Sequence, residues 1–451
     1  MPDPRVILIA ENTSRRFGGE AAIPFHLFRV LSARGADVRL VTHERNRPEL
    51  TTEFPDAVKD GRVAFVPDRP VQRLIHRVSK LMPHRVAYFT VWQLSRLVTQ
   101  RTARGIARRL VREHAGPAVV HQPTPVSPKD LSTIRKMGAP VVFGPFNGGM
   151  TFPPGFRSAD GPWVERLFRL GRLASRATHR LFPAKREAAL LLAANDRTRA
   201  ALPHGHRARV ELLSENGVDL PLWKAARAAA GLSDAPAEMA AAPGRRARFA
   251  FVGRLVDWKA VDLLVAALGK AVAAGVDAEL DIIGAGPTKA SLEQQARDLG
   301  LTDRVTFAGW MSQADVSRRL AAADAFVLPS LYECGGAVVL EAMAAGLPVI
   351  ATRWGGPADY VDDTCGVLVD PTSRDALIDG FAAAIAALAA DPARRAALGE
   401  AGRRRVTDLF DWERKVDRIQ GLYREVAAAA AAGEGSAGRP SAMPSAAHGT
   451  A

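Results

Sequence analysis

Two α/β domains, each a parallel sheet doubly wound with helices, are the architecture that the sequence predicts. Three observations carry this. At 451 residues the chain exceeds what one ordinary core supports. Short apolar runs alternate with stretches of helical periodicity, the pattern of strand-helix-strand units. The alternation halts once, over an alanine-rich polar stretch from about Leu222 to Arg246, and then resumes.

In the first half, strands are expected at residues 5–9, Asp37 to Val41, Val63 to Val66, Ala118 to His121, Pro140 to Phe143, Leu190 to Ala193 and Val210 to Leu213. Between the first two, Gly18-Gly19 precedes a helix with Ile23, Leu27, Val30 and Leu31 on one face. A lone glycine pair is as readily a tight turn as a phosphate-accommodating loop. The fourth run ends in His121 and is stopped by Pro123 and Pro125, which puts the histidine at a strand's carboxyl end. In the second half, strands are expected at Arg248 to Val252, Glu279 to Ile283, Arg304 to Phe307, Asp324 to Leu328, Pro348 to Ala351 and Gly366 to Val369. The resulting division is a first, acceptor-binding domain at 1–222, a linker at 223–246, a second domain at 247–405, a helix at 406–426 packing back on the first domain, and a disordered tail at 427–451 rich in Ala, Gly, Ser and Pro.

Composition narrows the class. With 47% hydrophobic and 24% charged residues the chain can bury cores, and its two cysteines, Cys334 and Cys365, allow neither a disulfide framework nor a zinc spacing. A cytoplasmic setting fits this cysteine usage. No apolar run approaches the roughly 18 residues of a membrane span. The net charge of +14 calls for a polyanionic partner, and eleven basic residues with no Asp or Glu lie between Arg69 and Arg112, interleaved with Leu74, Tyr88, Phe89, Trp92 and Leu97. Trp163 to Phe182 repeats the mixture. These stretches read either as a face that docks on anionic lipid at the inner side of the membrane or as solvated arginine-rich helices. No helix-turn-helix, RNP or zinc signature supports nucleic-acid binding.

The chemistry is concentrated in Ser330 to Gly346, read as a loop and helix following a buried strand. Glu333 falls in the loop and Glu341 about one turn into the helix, while Gly335 and Gly336 leave backbone N–H groups uncovered. Acids for hydroxyls and N–H groups for phosphate suit a sugar nucleotide, bound where open α/β sheets take ligands. Arg254 and Lys259 leave the end of another strand, placed to neutralise a departing diphosphate.

From Phe251 to Pro371 the sequence resembles the GT-B glycosyltransferases, specifically the large retaining E-x7-E family (glycosyltransferase family 4, the group 1 glycosyl transferases) that includes sucrose synthases, lipopolysaccharide glucosyltransferases and phosphatidylinositol mannosyltransferases. The resemblance rests on Gly253-Arg254-Leu255 with Lys259, Ile283 to Pro287, Arg304 to Gly309, Leu328-Pro329-Ser330 with Glu333 and Glu341, and Gly355-Gly356-Pro357. Gly18-Gly19, His121-Gln122-Pro123 and Asn216-Gly217-Val218-Asp219 extend it to the first half. It implies two Rossmann-like domains facing a central cleft, and a hexosyltransferase that takes a UDP- or GDP-linked sugar to a glycolipid, lipid-linked or polysaccharide-precursor acceptor.

Carried over by position, the resemblance makes Arg254 and Lys259 a pyrophosphate clamp, turns Glu333 to the sugar hydroxyls and Glu341 to the ribose, and sets His121 near the anomeric centre. Gly19 would offer its N–H to the phosphates, with Gly335 and Gly336 beside them, and the backbone at Gly309-Trp310-Met311 would meet the base. Two departures stand out. Lys259-Ala260 replaces the common Lys-Gly, which is read as harmless, and Glu333-Cys334-Gly335-Gly336 replaces Glu-Gly-Phe-Gly, which alters the sugar pocket wall. With no Asp-x-Asp motif in the chain, neither a metal nor another cofactor is expected. The alternatives are a sugar-nucleotide epimerase and a non-catalytic scaffold of the same fold.

Overall fold

A computed structural model describes residues 3–16, 19–71, 75, 91–156, 178–229 and 245–433. Among these residues, thirteen strands form two sheets. In the first, β1 (Arg5–Ala10), β2 (Val38–His43), β3 (Val63–Val66), β4 (Ala118–Gln122), β5 (Val141–Phe146), β6 (Leu190–Ala193) and β7 (Arg209–Leu212) lie in the order β3-β2-β1-β4-β5-β6-β7. In the second, β8 (Ala247–Val252), β9 (Ala278–Ile283), β10 (Val305–Gly309), β11 (Ala325–Leu328), β12 (Val349–Thr352) and β13 (Gly366–Val369) lie in the order β10-β9-β8-β11-β12-β13. Every pairing is parallel. Each order reverses direction once, beside β1 and beside β8, and these switch points open the crevices in which such sheets take ligands.

The strands are legible as continuous apolar runs because both faces of each sheet are covered. In β1, Val6 and Leu8 point into one core cluster while Ile7 and Ile9 point into another. The first cluster is closed by the helix Ala22–Ala33, through Ile23, Leu27, Phe28 and Leu31, and the second by Ala103, Ala107 and Val111 of the helix Val91–Arg112. Around the second sheet a single core joins Phe249, Phe251, Phe326, Leu340, Met343 and Phe381.

Three boundaries differ from the sequence reading. Residues 223–229, expected as linker, are the body of a helix, Leu220–Ala229, whose Trp223 is buried in the core of the second sheet. Alanine-rich composition is as good a helix as a linker once one large side chain has a core to enter. Residues 406–409 end the helix Pro392–Leu409, with Val406 and Phe410 still in the second core. The last helix is Trp412–Ala431, started by the Asp411 side chain accepting from the Glu413 amide, and it continues through residues 427–431 that composition assigned to the tail. Its Trp412, Val416, Ile419, Tyr423 and Val426, spaced as one helical stripe, are buried in the core of the first sheet. Gly18, residues 72–74 and 76–90 of the basic stretch, and residues 163–177 lie outside the described residues. Among those described, no single helix is long and apolar enough to cross a membrane.

The substitution at Ala260 is not harmless. Ala260 sits at φ 51° and ψ 36°, left-handed backbone, where it links the turn Asp257–Lys259 to the helix Val261–Ala273. A Cβ in this region costs roughly 1–2 kcal/mol, which glycine avoids. Replacing Ala260 with Gly should therefore raise the free energy of unfolding by about 1 kcal/mol, net of the extra freedom glycine gives the unfolded chain. Urea titration measures this as a higher midpoint at unchanged slope.

Candidate active site

Three loops leave the carboxyl ends of β8, β9 and β10 side by side. Gly253 N donates to Ile283 O at 3.0 Å, Leu255 N to Ala285 O at 3.0 Å, and Gly284 N to Gly309 O at 2.8 Å. They lie so close that a Cβ on Gly284 would stand 1.9 Å from the Gly253 carbonyl oxygen and one on Gly286 2.0 Å from that of Leu255. The loop after β11 joins them through Leu331 N, which donates to Trp258 O at 2.8 Å. It then turns into the helix Ala337–Ala344 through Gly336, at φ +82°.

This stacking brings Lys259 and Glu333 into direct contact: the ammonium Nζ pairs with Glu333 Oε2, and both side chains are largely buried, at 14% and 16% exposure. The sequence reading gave them separate tasks, one for diphosphate and one for sugar. The structure joins them in a mutually neutralising pair. Arg254 is different, being exposed and making no ion pair among the described residues. Gly309 ends β10 at φ +74°, followed by Trp310, whose side chain is 76% exposed. Cys334 follows Glu333, and burial pushes its thiol up to about 11, leaving it uncharged at neutral pH.

Glu341 is mostly buried, and burial raises its carboxyl above the ordinary range, opposed by a hydrogen bond from Gln313 Nε2 to Glu341 Oε1 at 2.9 Å. Gln313 was not singled out in the sequence. Its local signal is Ser312, which accepts from the Asp315 amide at 3.2 Å and so fixes Gln313 as the first residue of the helix Gln313–Ala321, just past the end of β10. From the first domain, Arg15 Nε reaches Gln313 Oε1 at 3.4 Å. Arg15 is itself held by Glu49, whose Oε1 accepts from the backbone of Arg15 at 2.8 Å and Arg16 at 3.1 Å and whose Oε2 accepts from Ser14 Oγ at 2.5 Å. This buried carboxylate anchors the segment that leads to Gly19, which is exposed and opens the turn Gly19–Ala21 at φ +52°.

His121 is a correction. It does end β4, but its side chain is fully buried and both ring nitrogens are engaged inside the protein. Nε2 lies 2.5 Å from the Gly144 carbonyl, to which it donates, and Nδ1 lies 2.5 Å from the Tyr423 hydroxyl, which it accepts. Burial lowers its pKa to about 4, so the ring is neutral. In this arrangement His121 fastens the last helix to the first sheet and presents no nitrogen to the cleft. A strand-end position gives no sign of which way the ring points.

The domains meet through Asn147, whose Nδ2 donates to Glu215 Oε1 and to Cys334 O, both at 2.7 Å. Trp354 Nε1 donates to Thr151 O at 2.8 Å, and Asn195 and Arg197 both bond Asp359 Oδ2, at 2.7 and 3.2 Å. In the first domain a small cavity of about 30 Å³ at the ends of β1, β2 and β4 is lined by apolar residues such as Ile9, Val41 and Val66 together with Glu11, Glu20, Thr42, His43, Arg96 and Gln122.

Comparisons with known proteins bear on the second domain and on the fold. Residues 238–405 match the family model described as "Glycosyl transferases group 1". A GDP-mannose-dependent monoacylated alpha-(1-6)-phosphatidylinositol monomannoside mannosyltransferase of Corynebacterium glutamicum is 35% identical over 178 residues, 38% of this chain and 45% of that protein. A lipopolysaccharide core biosynthesis glycosyltransferase of Rhizobium meliloti is 38% identical over 167 residues, 37% of this chain and 46% of that protein. The chain thus spans about half the length of the curated relatives it matches. Among solved structures, sucrose-phosphate synthase from Thermosynechococcus elongatus superposes with a TM-score of 0.63 at 22% identity, over 94% of this chain and 100% of the other. Anabaena HepE in complex with UDP superposes with a TM-score of 0.61 at 17% identity, over 93% and 100%. The fold is that of the two-domain GT-B glycosyltransferases.

The depressed pKa of His121 has a consequence for stability. Because the folded ring titrates near 4 and the unfolded one near 6.5, the unfolded chain binds the extra proton between these values. The contribution is complete above the unfolded value and is lost as pH falls toward 4, amounting to about 3 kcal/mol at most. Unfolding midpoints measured at pH 7 and pH 4.5 should fall less in His121→Gln than in the unsubstituted chain.

Proposed function

We propose that this chain, whose carboxy-terminal domain belongs to the group 1 glycosyl transferases, transfers a hexose with retention of configuration from a UDP- or GDP-linked donor to a glycolipid, lipid-linked or polysaccharide-precursor acceptor. The observation that carries the reading is the convergence of Lys259, Glu333, Glu341 and Gln313 at adjoining strand ends, facing Arg15 of the other domain. Arg254 and Lys259 neutralise the charge that builds on the departing nucleoside diphosphate. Glu341 accepts the two ribose hydroxyls, a vicinal diol matched to one carboxylate, with Gln313 holding it until the nucleotide arrives. Glu333 turns to the sugar hydroxyls, and the Gly335 and Gly336 N–H groups at the helix start lie beside the phosphates. The relatives from Corynebacterium and Rhizobium carry names that refer to phosphatidylinositol mannoside and lipopolysaccharide core, which favours a lipid-linked acceptor.

Glu341→Ala should abolish measurable sugar transfer and remove the thermal shift given by the cognate nucleotide sugar. Screening UDP-, GDP- and ADP-sugars identifies that donor, because a ligand at about 100 times its Kd stabilises by about 2.7 kcal/mol. Full transfer activity in Glu341→Ala would overturn the assignment.

Two cations and a helix amino end can take the electrostatic role that a metal plays in other transferases. Activity should therefore survive chelation; an absolute manganese requirement would overturn this part of the reading.

The helix Val91–Arg112 turns Arg101, Arg108 and Arg112 to solvent. Each such residue near an anionic bilayer contributes about 1 kcal/mol. Sedimentation at low salt should show binding to anionic and not to neutral vesicles; equal partitioning to both rejects peripheral docking.

A further inference from the structure

Glu215 lies where the chain leaves the first domain, at 4% exposure, and no step of the proposed reaction uses it. Its Oε1 accepts three hydrogen bonds: from Asn147 Nδ2 at 2.7 Å, from Asn216 Nδ2 at 2.9 Å and from the Tyr360 hydroxyl at 3.2 Å. The donors come from the loop after β5, from the crossing segment itself and from the helix Gly356–Tyr360 of the second domain. Lys415, buried on the last helix, donates its Nζ to Asn216 O and stands 4.5 Å over the Trp412 ring. Three parts of the fold therefore converge on one carboxylate, and a fourth, the last helix, is tied to its neighbour Asn216.

What lies against it is the loop that carries Glu333. The same Asn147 nitrogen that bonds Glu215 gives its second hydrogen to Cys334 O at 2.7 Å, and Gly356 N bonds Glu333 O at 2.8 Å. Gly335 rests on Glu215 so closely that a Cβ there would stand 2.3 Å from Glu215 Oε1 and 2.4 Å from Asn216 Nδ2. The glycine is therefore required by Glu215, and the carbonyls of residues 333 and 334 are both held from outside their own loop. A buried carboxylate is costly to desolvate, and a connected network of donors around it rigidifies what it touches.

We propose that Glu215 is a positioning residue for the sugar end of the donor: through Asn147 it fixes the Cys334 carbonyl, and so sets where Glu333 and the Gly335 amide stand. Hexose recognition by the second domain thereby depends on a carboxylate and an amide supplied from outside it. The inference rests on the reading that this loop meets the donor sugar, but the coupling itself is open to a test that needs no ligand.

Hydrogen–deuterium exchange on the full chain, without ligand, reads the coupling from peptides spanning residues 330–340. In Glu215→Ala and Asn147→Ala these amides should exchange about tenfold faster, the effect of losing one buried hydrogen bond, while those of β9 stay unchanged. Glu215→Gln keeps an oxygen at the same place and should restore slow exchange. Should Glu215→Ala fail to fold, seen as fast exchange in β9 too, Asn147→Ala carries the test. Unchanged exchange at 330–340 in folded Asn147→Ala overturns the coupling.

Calorimetry with GDP-mannose and UDP-glucose, each against its own nucleoside diphosphate, then separates positioning from general damage. In Asn147→Ala, affinity for the sugar-bearing probe should fall about tenfold and that for the bare diphosphate should hold within about twofold, since only the sugar contacts lose their geometry. Equal losses for both overturn the positioning role. If the unsubstituted chain binds neither pair, the donor reading falls and with it the sugar role, while exchange still decides the coupling.

Discussion

The last helix crosses back to the first sheet, and most of the arrangement depends on that return. Trp412, Val416, Ile419 and Tyr423 bury their side chains in the first core, each worth about 1.5–3 kcal/mol of apolar transfer. The helix before it belongs wholly to the other core. Because the chain changes domains between Phe410 and Trp412, it runs beside the outgoing segment at Val218, with Val218 N bonded to Phe410 O at 2.8 Å and Trp412 N to Val218 O at 3.2 Å. Where the chain crosses, the two domains are thus joined by a backbone bridge and by the Glu215 network. His121 contributes from the far side, tying Tyr423 to the end of β4.

Within the cleft, charge is balanced internally. Lys259 neutralises Glu333, and Gln313 satisfies one oxygen of a carboxylate, Glu341, that burial already disfavours as an anion. Such pairing keeps unligated polar groups from paying their full desolvation cost. It also means that a bound nucleotide sugar would exchange partners with groups already in place. Arg254, exposed and without an ion pair among the described residues, is the cation with no such exchange to make.

Much of this was legible in the sequence, for identifiable reasons. Strands buried on both faces write themselves as unbroken apolar runs, so Val6 to Ile9 or Phe326 to Leu328 could be read without a partner in view. The places of Glu333 in the loop after β11 and of Glu341 in the helix that follows were readable because their spacing and the intervening glycines are local. His121 was placed at the right strand end and given the wrong neighbours, since a ring's direction depends on Tyr423, 302 residues away. Asn147, Glu215 and Gln313 are polar residues whose roles exist only through contacts between distant segments; Ser312 marks where the helix of Gln313 starts, but not that its side chain meets Glu341. Ala260 shows the reverse case: a departure from Lys-Gly was visible, but its cost lies in a positive φ that spacing does not reveal.

The side-by-side crossing at Val218 and Asp411 also says something about how the molecule could be taken apart. In topological terms the first domain is discontinuous, and everything from Leu220 to Leu409 is an insertion whose two ends meet across a single backbone bridge. Only two neighbouring joints would have to be rebuilt to exchange the second sheet and its helices for another while leaving the first sheet, and its returning helix, intact. Any such graft would have to bring its own counterpart of Gly335 to fit against Glu215.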